Sequence, residues 1–163
     1  MALIKNGKQV ADPYVWVEDE ASLPANAAVI VSLERWQAER DVLLERGAPL
    51  GIKLRSDQSP DHIGDGLQQI AVVALEFPAF RDGRAYSYAR LLREKYGFKG
   101  ELRAVGDVLL EQLHFMLRTG IDAFELNSEN PAKDYEIASK DFSVWYQPTA
   151  DGRSTAADRR QRH

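Results

Sequence analysis

The stretch IAVVALEFPAFRDGRAYSYARLLREKYGFKGELRAV, residues 70–105, decides the fold. It opens on IAVVALEF, Ile70 to Phe77, a continuous apolar run closed by Pro78. Such a run reads as a strand buried on both faces. Gly83 precedes a helix from about Ala85 to Tyr96. Tyr88, Leu92 and Tyr96 are spaced as one apolar stripe along it, and Gly97 ends it. ELRAV, Glu101 to Val105, is the next strand. Strand, helix and strand over this length predict a parallel pair joined by a covering helix.

The same alternation runs outward in both directions. Ala28–Val31 reads as a strand, and Ser32 caps a helix from Leu33 to about Arg46 that Gly47 ends. LGIKL, Leu50 to Leu54, is a second strand, followed by the polar loop SDQSPDHIGDGLQQ. After residue 105, Asp107 is expected to cap a helix to about Arg118. Ile121–Leu126 is a fifth strand, and Pro131 opens a last helix through about Lys140. FSVWYQ, 142–147, adds a possible final strand, and the polar, basic tail from Pro148 reads as disordered. At the other end, Asn6-Gly7 lies between short strand-like arms, a hairpin signal, and Tyr14–Val17 suggests one more strand. The expected organisation is a β-hairpin appendage over 1–20, one α/β domain over 28–147 and a tail over 148–163. The α/β domain is expected to hold a mostly parallel five-stranded sheet with alternating helices. An open doubly wound sheet is the first choice for it. A partial (βα) barrel is the second, because the repeats run strictly in order.

At 163 residues the chain has the size of one domain with a full core. It has no cysteine, which excludes disulfides, iron–sulfur ligation and a dithiol couple of its own. Its three histidines, His62, His114 and His163, lack ligand spacing, so no zinc is expected. No GxGxxG follows a strand and no GxxxxGK[ST] occurs, which disfavours a nicotinamide or ATP site. Flavin is left open, because flavin sites share no single signature. The net charge of −4 argues against nucleic-acid binding. No apolar run reaches the roughly 20 residues of a membrane span, and the N-terminal segment has no signal pattern. The reading is therefore a cytoplasmic protein.

Positive charge is concentrated where the chemistry is expected. Residues 81–107 carry seven basic and four acidic side chains within an acidic protein. In parallel α/β folds ligands bind beyond the carboxyl ends of the strands. The loop after the Ile70–Phe77 run brings Arg81, Asp82, Gly83 and Arg84 to such an edge, with Tyr86 and Ser87 in the first turn of the helix that follows. Free N–H groups and forked guanidinium donors suit an anion there. Arg90 and Arg93 lie further along the helix. Arg103 sits inside a strand, where it must pair, reach an edge or meet a partner. Asp107 is either a helix cap or a site carboxylate facing Arg84. Structural use or partner docking by the same arginines is an equally direct reading of this segment. No serine has a histidine partner to suggest a hydrolase triad, so catalytic residues stay unassigned.

The segment EFPAFRDGRAYSYARLLREKYGFKGELRAVGDVLLEQLHFMLRTGIDAFEL resembles the signature block of the DUF934 family of bacterial proteins. The likeness extends upstream through VSLERWQAERDVLL and downstream to FSVWYQP, about Ala28 to Pro148. The chain departs mildly from the pattern at Ala85, where glycine is expected, and at Glu111, where aspartate is expected. The family has no established activity, and its members carry the label of oxidoreductases involved in sulfite reduction. The resemblance therefore implies a role in sulfate assimilation, with sulfite reductase or its electron donor as partner, or a small oxyanion as ligand. A sulfur-metabolite-binding regulatory or scaffold protein without catalysis is the alternative.

Overall fold

The computed structural model describes residues 2–78 and 82–140. Arg81, the expected strand at 142–147 and the expected tail from Pro148 lie outside the described residues.

The described residues form eight strands, β1 (Ala2–Lys5), β2 (Lys8–Val10), β3 (Tyr14–Trp16), β4 (Ala28–Ser32), β5 (Leu50–Leu54), β6 (Val72–Phe77), β7 (Glu101–Gly106) and β8 (Ala123–Leu126). They form one sheet in the order β2-β1-β8-β7-β6-β5-β4-β3. The protein is thus α/β, and all five strands read from the α/β region of the sequence are present and mutually parallel. β3 adds a sixth parallel strand. The Asn6-Gly7 hairpin forms, and its first strand pairs antiparallel with β8. The hairpin expected as an appendage is therefore continuous with the sheet.

The strand order corrects the expectation of a doubly wound sheet. From β3 to β8 the order never reverses, so right-handed crossovers place every covering helix on the same face. The sheet also curls. Its two outermost strands, β2 and β3, are joined by only Ala11, Asp12 and Pro13. Eight flat strands would hold those edges roughly 34 Å apart, while this link spans at most about 14 Å. The chain can make that connection only if the sheet rolls towards a barrel.

The outer face carries the main core. Leu54, Leu75, Ala104, Phe124 and Ile4 form one row across five strands. They are buried with the apolar sides of the covering helices. Helix α1 (Leu33–Glu45) starts where Ser32 Oγ accepts the Arg35 N–H at 3.0 Å, and buried Trp36 ties it to the Ile63 carbonyl. A kinked 3₁₀ segment, Pro60–Gln69, covers the β5–β6 crossover. Helix α2 (Arg84–Arg90) continues as a π-helical turn, Leu91–Lys95. After β7 comes a 3₁₀ turn at Leu110–Gln112 and then helix α3 (Leu113–Arg118). Helix α4 (Pro131–Lys140) follows β8, starting at Pro131 as read. Asp107 caps neither the turn nor α3, whose caps are Leu109 and Gln112. Gly106, at φ +86°, turns the chain sharply first, and a Cβ there would meet the Phe77 carbonyl at 2.5 Å.

The inner face carries a row of charged side chains among its apolar ones. Ser32, Lys53, Ala74, Arg103, Ala123 and Lys5 form one row across it. Each cation in that row meets acid. Lys53 pairs with Glu76 and Lys5 with Glu101. Arg103, 0% exposed, pairs with Asp12, Glu101 and Glu125. Among the described residues no helix is long and apolar enough to cross a membrane.

Candidate functional site

The arginine-rich segment folds into the edge where β6 and β7 end and α2 begins, and the structure sorts its charges into distinct jobs. Asp82 occupies the start of α2. Its carboxylate accepts the Arg84 backbone N–H at 3.0 Å, and the Arg84 guanidinium grips it at 2.7–3.1 Å. The bond from Arg84 holds the Asp82 pKa well below the usual carboxylate range. The anion at this helix start is thus one of the protein's own carboxylates, and Arg84 faces it rather than Asp107. Gly83 and Ser87 lie exposed beside this pair.

Arg93 and Arg103 are elsewhere. Arg93 sits at the opposite, N-terminal edge of the sheet. It donates to the carbonyls of Gly120, Phe98 and Gly100 at 3.0, 2.7 and 2.8 Å, and lies 3.6 Å from Asp122. Burial lowers its pKa against the opposing pull of Asp122. It fastens the β7 and β8 entrances together. Arg103 is sealed on the inner face. Its Nη1 and Nη2 fork onto Asp12 at 2.8 and 3.3 Å, and its Nε donates to Glu101 at 2.8 Å. The ring of Tyr14 lies 5.5 Å from the guanidinium carbon. Burial pulls its pKa down, and Asp12 and Glu101 more than offset that, leaving it raised. Neither side chain is placed to meet a ligand at the β6–β7 edge.

Tyr86 and Arg90 remain, and they line a groove between α2 and α3. The Tyr86 ring stands edge-on to Phe77 at 5.1 Å, and its hydroxyl donates to Gln112 Oε1 at 2.6 Å. Burial pushes its pKa up to about 12, so it acts as a neutral donor. Two adjoining depressions share Tyr86, Gln112 and Phe115. The upper, about 420 Å³, also holds Asp82, Asp107 and Glu111. The lower, about 450 Å³, holds Arg90, Arg118 and Thr119. Phe115 is 49% exposed between them. Of the segment's arginines that the structure describes, Arg90 alone makes no hydrogen bond or ion pair, not even with Glu94 one turn away.

Sequence reasoning missed Gln112 and Phe115 as members of this groove. Their positions follow from the short α3, which starts at Leu113 instead of near Asp107. It also missed Lys53, read as one residue of an apolar strand. Its signal was a lysine at an inward position of LGIKL. Among the described residues no group of three or more His, Asp and Glu is arranged to hold a metal ion.

A family model described as a bacterial protein of unknown function, DUF934, matches residues 51–157. The chain belongs to the DUF934 family. The match begins in β5 and takes in the whole α2–α3 groove, as well as Arg103 and both of its strand-borne acids. It leaves out β1 to β4, and with them Asp12 and Tyr14. No curated protein matches the chain.

Proposed function

We propose that this DUF934 protein is a cytoplasmic accessory of assimilatory sulfite reduction, and that it docks on sulfite reductase or its electron donor through the α2–α3 groove. The observation that carries the docking reading is the division of labour among the arginines. Arg84 is held by Asp82, Arg93 by carbonyls and Arg103 by buried acids. Arg90 is left beside an exposed phenylalanine on a wall stiffened by the Tyr86–Gln112 bond. A guanidinium next to an aromatic anchor is the combination that dominates protein–protein contacts. A small oxyanion at the start of α2 is less well supported, because Asp82 already fills that position.

The sulfite step is suggested by the family likeness. The absence of cysteine supports an accessory role, since any electron must come from a partner or a bound organic cofactor. The test is growth of a strain lacking the gene on sulfate, sulfite, sulfide or cysteine as sole sulfur source. Failure on sulfate and sulfite with rescue by sulfide supports the proposal. Normal growth on all four counts against it.

A further inference from the structure

The mouth of the curled sheet holds a second cavity, of about 480 Å³, built from β3, β4 and β5 and not from the groove helices. In barrels of parallel strands and covering helices, the mouth at the strands' carboxyl ends is where ligands bind. Here the cavity is closed from below. Ile30 is fully buried under it, and Gly51 leaves no space for even a Cβ, which would lie 2.8 Å from Ile30.

Its walls are of opposite charge. Lys53 lies on the inner row next to Ser32. Its Nζ is 3.3 Å from Glu76, and the two side chains are 35% and 31% exposed, so the pair opens towards the mouth. An ammonium group has three N–H donors, and this pair uses one. Across the cavity, Glu18, Asp19 and Glu20 follow β3, and Asp19 is fixed by the Ser32 hydroxyl, which donates to it. The half-exposed indole of Trp16 forms an apolar side wall.

We infer that this mouth binds a free α-amino acid. The carboxylate meets Lys53, the ammonium meets the acids after β3, and an apolar side chain lies against the exposed indole of Trp16. The volume suits a molecule of that size with room for water. This inference uses none of the groove residues and stands apart from the docking proposal.

The test is calorimetric titration of the full chain at neutral pH with L-leucine, L-methionine and L-phenylalanine. Each is compared with the amine lacking its carboxylate and the acid lacking its amino group. At least one amino acid is expected to bind, and both of its truncated analogues to bind about tenfold more weakly or worse, the worth of one charge-assisted hydrogen bond. Lys53→Met is expected to weaken binding by a similar factor and Lys53→Arg to retain part of it. Binding is also expected to change the tryptophan emission of the native chain, and Trp16→Phe to abolish that change. The emission arm keeps the inference testable if Lys53→Met does not fold. No saturable binding of any of the three overturns the inference. So does an amine that binds as tightly as its amino acid, or an emission change that survives Trp16→Phe.

Discussion

The guanidinium of Arg103 grips Asp12 with a two-pronged contact across 91 positions of sequence. That contact pins the three-residue link between the outermost strands to the middle of the inner face, so it holds the sheet in its curled form. Glu101, itself paired with Lys5, and Glu125 complete the cluster. Removing the arginine takes from Asp12 and Glu125 the cation they pair with and leaves Glu101 with Lys5. Arg103→Met is therefore expected to destabilise the protein by about 3–5 kcal/mol, the range for breaking a buried ion network. Asp12→Asn keeps an acceptor oxygen and is expected to cost about 1–2 kcal/mol. Urea denaturation of both variants checks the order and the sizes.

Glu125 gives the cluster its pH dependence. Burial raises its pKa, and the nearby Arg103 only partly opposes this. A carboxyl with a raised folded-state pKa binds its proton more tightly folded than unfolded. Its penalty is absent below the unfolded value of about 4.3 and grows as pH rises through the folded value. Glu125→Gln removes that penalty. The variant is expected to be at least as stable as the parent at pH 7, and its advantage to vanish towards pH 4. Denaturation midpoints of the two proteins across that range measure the difference. An advantage that grows on acidification contradicts the assignment.

Gly106 permits the sharp exit from β7 that places the groove loop. Its φ of +86° disfavours any side chain, and a Cβ at 2.5 Å from the Phe77 carbonyl has no space. Strain in a left-handed position alone is worth about 1–3 kcal/mol. Gly106→Ala is expected to lower the thermal midpoint clearly, whereas Gly83→Ala, with open space around it, is expected to leave it nearly unchanged. Calorimetric melting of the two variants makes the comparison.

Arg90 and Arg93 lie one helical turn apart and are expected to behave in opposite ways. Arg93 donates to three carbonyls from a half-buried position. Arg93→Ala is expected to cost about 2–4 kcal/mol, because those carbonyls lose a charged donor. Arg90→Ala is expected to change stability by less than about 0.5 kcal/mol, as for other surface substitutions. Chemical denaturation separates the two.

The five strands read from the α/β region were legible because each is a short apolar run between glycines, prolines or caps. Strand order was not legible from those runs. It depends on which way each crossover folds, and the buried character of Ile70–Phe77 is the same in a doubly wound sheet and in a curled one. Two clues to the curl were present without being joined. Ala11-Asp12-Pro13 is too short to span a wide sheet, and Arg103 inside a strand required buried acid. The arginine segment was legible as a place of interest but not as separate jobs. Arg93 answers to main-chain carbonyls, which leave no mark in the sequence, and Arg84 to an aspartate two residues away. Asp107 looked like a helix cap, but the turn at Gly106 carries the chain past it before any helix starts. Of the outer-face site, Tyr86 and Arg90 were found and Gln112 and Phe115 were not.

The central claim is that the groove around Arg90 and Phe115 connects this protein to sulfite reduction. Its most direct test is complementation of the deletion strain on sulfite with the native gene and with Arg90→Glu and Phe115→Glu, each checked for native stability and abundance. The account predicts that the native gene restores growth, and that both folded variants fail on sulfite yet grow normally on sulfide. Full restoration of growth on sulfite by both variants would contradict it.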